Sequence, residues 1–344
     1  MNGAVAKILS IMSVTAICAT NAHGVDTYNA DKQFDYIPKV HGTIRTRYEM
    51  VTEDIMSRFQ VRTARVALSG NAAPFIDYYM QTDFDDRGEY KFLDAWGRVA
   101  ISDGIKVSLG QMRIPFSVDA TRAPHQYYFA NRSTVSKLVG QQRGVGGKIA
   151  VAIPGTGLTA EAGVFNTHSI TKQKTWERTM DASCKARYTL GNMFVEGGFE
   201  SVVPDSVRIN QIDAALHWGA GRWMIEGEYL YKHYTRDRFK PTHAWNVMAD
   251  YSMPIRTNTF NYVSFQARYD GVTDNSQGTR NADGFLYITQ PRHQRATIGT
   301  TFSYVHPKLR ADLRIDYENY FYPSETIVDT DDKSKIVVEL VIRF

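Results

Sequence analysis

The sequence predicts an all-β fold, a transmembrane up-and-down antiparallel β-barrel of about 16 strands, on three observations. Apolar and polar residues alternate with period two from residue 39 nearly to the end. The links between alternating segments are short and long by turns, and the chain opens with an export-type stretch.

Composition permits this reading and removes competitors. With 43% hydrophobic residues, 22% charged residues and a formal net charge of +4, the 344-residue chain is unlike a disordered segment. Its 40 basic and 36 acidic residues nearly balance, so no nucleic-acid partner is expected. Beyond the first stretch no segment stays apolar for the roughly 18 residues a spanning helix needs. Strands are not excluded, because alternation dilutes the mean hydropathy, here −0.35.

Residues 1–22 read as a signal peptide: Lys7 supplies the positive charge, Ile8 to Ala19 an apolar core, and Thr20, Ala22 and Gly24 the small residues for cleavage after 22 or 24. Cys18 follows the bulky Ile17, which disfavours a lipoprotein signal. Residues 23–38 then form a periplasmic N-terminal segment and 39–344 the barrel. Cys184 is the one cysteine left after cleavage, so no internal disulfide can form.

In the first strand Val40, Gly42, Ile44, Thr46, Tyr48 and Met50 share one side, with His41, Thr43, Arg45, Arg47 and Glu49 on the other. The same split separates Ile76, Tyr78 and Met80 from Asp77, Tyr79 and Gln81, and Ala182, Cys184 and Ala186 from Asp181, Ser183 and Lys185. It is cleanest where Leu309, Ala311, Leu313, Ile315 and Tyr317 oppose Arg310, Asp312, Arg314, Asp316 and Glu318. Such segments centre near residues 45, 63, 80, 97, 110, 149, 162, 185, 198, 214, 227, 247, 265, 299, 315 and 339. Strands of about 9–11 residues are expected.

After even-numbered segments the links are tight, as at 102–104, 154–157, 191–192, 219–221 and 306–308. Those at 115–143, 167–179, 271–292 and 321–333 are long, and all follow odd segments. Membrane barrels carry this asymmetry, with tight periplasmic turns and long extracellular loops, and a soluble sandwich has no reason to. Tyr48, Tyr188, Trp218, Trp223, Tyr231, Trp245, Tyr251, Tyr269, Tyr304 and Tyr317 fall on apolar faces near strand ends, where interfacial belts place aromatics. The last strand sets Leu340, Ile342 and Phe344 against Glu339, Val341 and Arg343 and ends on phenylalanine, which resembles the assembly signal of bacterial outer-membrane proteins.

The stretch LDAW at 93–96, IKVSLGQMRIPFS at 105–117 and FANRS at 129–133 resembles the phosphate-selective porin O and P family. FQVRTARVALSG at 59–70 and ARYD at 267–270 are similar to other strands of that family. The resemblance implies a 16-stranded barrel in the bacterial outer membrane, usually a homotrimer, with the loop after the fifth strand folded inward. The residues agree, because loop 115–143 carries Phe116, Tyr127, Tyr128 and Phe129 and is too apolar to wave in solvent. A fold over the outside rim or across a subunit contact is its alternative.

For a channel the chemistry is the field that offsets ion desolvation. Arg45, Arg47, Arg58, Arg62 and Arg65, then Arg113, Arg122, Arg132 and Arg143 around the long loop, then Lys148, are the candidate pore-lining or anion-binding residues. Guanidinium forks bind phosphate or carboxylate and can pass it on. Strict alternation separates Arg62 from Arg65, so a bulge is expected in that strand. The competing reading pairs these cations across the lumen with Asp77, Asp83, Glu161, Asp181, Glu196, Glu226 and Glu228. For phosphate the loop supplies only Lys137 as a lysine.

No catalytic or metal motif is present, and no enzyme or cofactor is expected. Asp213 and His217 share lumen parity and read as lumen polar residues, and His233 and His243 lack a third metal ligand. The expected function is an outer-membrane porin with a water-filled, anion-leaning diffusion channel for small hydrophilic solutes such as phosphate, with outer-membrane lipid around it. The alternatives are a weakly selective nutrient or sugar pore, and a plugged barrel with a structural or partner-binding role.

Overall fold

The computed structural model describes residues 37–85, 88–139, 142–205, 207–323 and 326–344. The expected signal peptide, and residues 23–36 of the segment after it, lie outside the described residues. Sixteen antiparallel strands follow in order. The first eight are β1 (Lys39–Val51), β2 (Ser57–Ala73), β3 (Ile76–Asp85), β4 (Tyr90–Ser102), β5 (Ile105–Arg113), β6 (Arg143–Ile153), β7 (Leu158–Asn166) and β8 (Met180–Leu190). The second eight are β9 (Met193–Val202), β10 (Ile209–Ala220), β11 (Trp223–Tyr234), β12 (Thr242–Pro254), β13 (Tyr262–Val272), β14 (His293–His306), β15 (Leu309–Phe321) and β16 (Lys335–Arg343). Every strand pairs with its chain neighbours, and β16 returns to β1 to close the barrel. Closure leaves no sheet edge, which lipid would not tolerate. Each expected strand centre falls within its strand. Several strands outrun the expected length, β2 reaching 17 residues.

The faces are inside out relative to a soluble sandwich. In β15 Asp312, Arg314 and Asp316 are each 1% exposed, whereas Ile315 and Tyr317 between and beside them are 41% and 39% exposed. None of the ten aromatics assigned to apolar faces is buried. A protein in water would forfeit about 25 cal/mol per Å² by presenting this surface, while a bilayer matches it.

In β2 the register against β1 steps from Thr63 opposite Arg45 to Val61 opposite Thr46, so Arg62 is the extra residue of a β-bulge. Below it Arg58 and Gln60 face inward, and above it Thr63 and Arg65 do. This is the bulge that the spacing of Arg62 and Arg65 requires.

At the seam, Gly42 N–H donates to the Phe344 carbonyl at 2.8 Å and Phe344 N–H returns to Gly42 at 3.1 Å. A Cβ on Gly42 would lie 2.2 Å from Cζ of the Phe344 ring, so glycine is what lets the terminal aromatic cover this part of β1. Gly42→Val is expected to displace that ring at a cost of about 1–3 kcal/mol and to lower the yield of closed barrel. Heat-modifiable migration on gels checks it, and a wild-type yield would contradict the role given to the seam.

Candidate functional site

The site begins where β5 leaves the wall. Gly110 has φ of 130°, a conformation L side chains avoid, and a Cβ there would sit 2.1 Å from the Ala95 carbonyl. Gly110→Ala is therefore expected to push β5 off β4 and loosen the loop entry, read as reduced thermal stability of the folded barrel. Ile114 N–H then bonds Gln142 O at 3.1 Å, pinching the ends of the long loop together.

The loop runs inward, as expected. Its short helix α1 (Val118–Thr121) is capped by Ser117, and Glu228 on the far wall accepts from Ser117 Oγ at 2.7 Å and Val118 N–H at 2.8 Å. Its second helix α2 (Thr134–Leu138) is capped by Ser133, and Asp270 accepts from Thr134 N–H at 2.7 Å. Between them Ala130 N–H donates to Asp316 at 2.6 Å, while Arg45, Arg268 and Arg295 donate to the carbonyls of Ala130, Asn131 and Arg132 at 2.7, 2.9 and 2.7 Å. Wall side chains thus replace the partners a loop backbone would otherwise seek in water.

Packing completes the docking. Phe116, Ala120, Val135, Leu138 and Val139 of the loop form one apolar cluster with Leu230, Ala244 and Val272 of β11, β12 and β13. These three point into the lumen against the general alternation. They exist there because the loop needs an apolar seat.

The loop is seated on β8–β15 and, through Arg45 and Arg47, on β1, and the open space lies against the rest of β1, β2–β8 and Arg343 of β16. Arg65, Arg98, Arg113, Lys148, Lys185 and Arg343 line it, against Asp94 and Glu161 as the carboxylates of that lining. Several of these cations are partly neutralised: Arg65 pairs with Asp83 at 2.6 Å, Arg98 with Asp77 at 2.5 Å, Lys148 with Glu161 at 3.3 Å and Lys185 with Glu196 at 3.4 Å. Arg113 instead donates to the carbonyls of Thr121 and Arg122 at 2.5 and 2.9 Å, and neither it nor Arg343 has an ion pair among the described residues.

The candidate residues therefore divide. Arg65, Arg113 and Lys148 reach the open space. Arg45, bound to Glu339 at 2.6 Å, and Arg47, bound to Glu49 at 3.0 Å and Asn131 at 2.8 Å, lie buried beside the loop. Arg122 is buried with Asp119 and Glu226, and Arg132 lies over Tyr127 and donates to Gln142 at 2.5 Å. Arg143 holds Asp94 at 3.1 Å, Arg58 joins Glu49 and Asp331 at the long-loop end, and Arg62 occupies the bulge. Of the acids in the paired reading, Asp83, Glu161 and Glu226 meet the candidates Arg65, Lys148 and Arg122, the first two between adjacent strands rather than across the lumen. Asp77 instead pairs with Arg98, Glu196 with Lys185 and Arg187, Asp181 accepts from Val203 N–H at 2.8 Å and Glu228 serves the loop. Arg98, Lys185 and Arg343 were not among the candidates, although their lumen parity was legible.

Loop groups register the field. Burial, then Arg343, Arg310, Arg314 and Arg65, lower His125 to about 3, so it stays neutral at physiological pH. Burial alone would raise the Tyr127 hydroxyl, but Arg132, Arg45, Arg113 and Arg65 outweigh it and lower it. Arginine charge adds to burial at His125 and overcomes it at Tyr127.

Of the other candidates, His217 Nδ1 contacts Glu226 at 3.0 Å and stacks on Phe194, so it is absorbed by the wall network. His243 contacts the Tyr229 hydroxyl at 2.6 Å on the outer face. Among the described residues no cluster of His, Cys, Asp or Glu could hold a metal ion, and no helix is long and apolar enough to cross a membrane.

Residues 46–189, which span the wall and loop just described, match the family of phosphate-selective porin O and P. Over that stretch the chain resembles the family, and the barrel that contains it is a porin fold. No curated protein sequence matches it. Among solved structures the porin is similar to the anion-selective porin from Comamonas acidovorans, at 12% identity and TM-score 0.63 over 89% of this chain and 98% of that one. It is also similar to the outer membrane channel DcaP of Acinetobacter baumannii, at 12% identity and TM-score 0.59 over 89% and 97%. Salmonella typhi OmpF gives 10% identity and TM-score 0.61 over 89% and 97%. At these identities the likeness is one of fold. The porin is an outer-membrane diffusion channel, with family and fold pointing to a channel rather than an enzyme.

Proposed function

We propose that the porin conducts small hydrophilic solutes with a preference for anions, phosphate included, and has no catalytic activity. The observation that carries this is the lining of the open space, six cations against two carboxylates, with Arg113 and Arg343 lacking ion pairs among the described residues. Across 6 Å at an effective dielectric constant of 20, one unpaired charge is worth about 3 kcal/mol to a passing anion, and under 1 kcal/mol in bulk water. The narrowness left by the loop therefore decides whether the charge matters. The name of the Comamonas acidovorans neighbour, an anion-selective porin, supports the same reading.

Arg65, Arg113 and Lys148, with Arg98, Lys185 and Arg343, contact the solute in this proposal. Arg45, Arg47, Arg122 and Arg132 position the loop, Arg143 holds Asp94, Arg58 lies at the extracellular mouth and Arg62 sits in the bulge. Residues 1–22 act as a cleaved signal peptide, 23–38 lie in the periplasm, and the barrel assembles as a homotrimer. The test is the reversal potential of the purified porin in a planar bilayer under a potassium chloride gradient. A potential on the chloride side is expected, and one on the potassium side would overturn the proposal.

A further inference from the structure

The alternation that sends apolar residues to lipid is broken on one part of the lumen. Trp96 shares the inward face of β4 with Asp94 and Arg98, and it stacks on inward-facing Tyr79 with ring centroids 5.6 Å apart and planes 25° apart. Met112, Ile114 and Phe165 form a buried cluster against which Trp96 packs. Phe165 fits because Gly144 and Gly146 carry no Cβ, which would lie 2.9 Å from Phe165 Cβ and 2.8 Å from its Cδ1 respectively.

This greasy strip differs from the one that seats the loop. Leu230, Ala244 and Val272 are covered by loop side chains, whereas Trp96 is only partly covered and lines the open space together with Tyr79. The same space is lined by Arg98 and Arg113, and Arg98 lies 5.1 Å over the Trp96 ring. A hydrated inorganic anion gains from the cations and nothing from an indole face. A carboxylate on a planar apolar body gains from both.

We propose that the channel binds aromatic monocarboxylates in transit, the carboxylate on the Arg113 side and the ring on Trp96 and Tyr79. This rests on the anion reading above and deepens it. The probes are benzoate, acetate and inorganic phosphate, added at equal ionic strength to the full porin in a planar bilayer while its chloride current is recorded.

Benzoate is expected to lower the chloride current saturably at about tenfold lower concentration than acetate or phosphate, the ratio that ~1.4 kcal/mol provides. In Trp96→Ala the benzoate-to-acetate ratio falls toward one, and in Trp96→Phe it is largely kept. Equal effects of benzoate and acetate on the wild-type porin would overturn the inference even if Trp96→Ala failed to fold, as would an undiminished ratio in a folded Trp96→Ala. Failure of the anion reading shows separately, as a potassium-side reversal potential without any of these additions.

Discussion

Exchanging Arg113 and Arg343 together for glutamate moves the reversal potential of the porin from the chloride side to the potassium side. Both guanidinium groups line the open space and lack ion pairs among the described residues, so each reversal replaces an attraction for anions with a repulsion of similar size. A residual 1.4 kcal/mol per site after solvent screening is already about tenfold in relative permeability. Arg45→Glu should behave otherwise, although Arg45 is a lumen arginine by the same alternation. It is buried against Glu339 and the Ala130 carbonyl, so its reversal places two carboxylates together and costs about 3–5 kcal/mol. That variant should lose thermal stability, read by the temperature of heat modification. Wild-type ion preference in the double variant would remove the role given to Arg113 and Arg343.

The second large effect is release of the loop. Asp270 accepts from Thr134 N–H and holds Arg295 at 2.7 Å, and Asp316 accepts from Ala130 N–H. Replacing both aspartates with alanine strips the loop of two charged acceptors and leaves the buried Arg295 with Glu318 at 3.4 Å as its remaining ion-pair partner. About 3–5 kcal/mol is lost from the docked state. The apolar seat of Phe116, Val135 and Leu138 remains, so the loop is expected to detach part of the time rather than always. Single-channel recordings should show larger, fluctuating conductance, and limited proteolysis should cut within 114–142. A steady conductance at the wild-type level would show that the wall carboxylates do not hold the loop.

The residues of β1 and β2 show how far reading the chain reached. Period two is a local property of extended backbone, so the inward direction of Arg45, Arg47 and Glu49 could be read from spacing alone. A bulge was legible for the same reason, because Arg62 and Arg65 differ in parity, and the structure places it at Arg62. The inward loop was legible in kind, since its aromatic side chains needed cover. Arg343 was visible as an inward residue of the last strand, but nothing in its neighbours along the chain marked it as pore-lining. Its approach to His125 of the loop arises only when β16 closes on β1. Trp96 sat in plain view within a family motif, yet its neighbours in the lumen come from β3, β5 and β7.

Strand number, facing and the short and long links were thus set by the chain's own order of residues, because each depends on neighbours close along the chain. Which lumen arginines meet solute and which clamp the loop was decided only in the folded barrel. The bonds that make the choice join groups far apart in the chain, as Ala130 N–H and Asp316 do across 186 positions. Two arginines with the same inward direction acquire opposite roles according to which half of the lumen the loop covers.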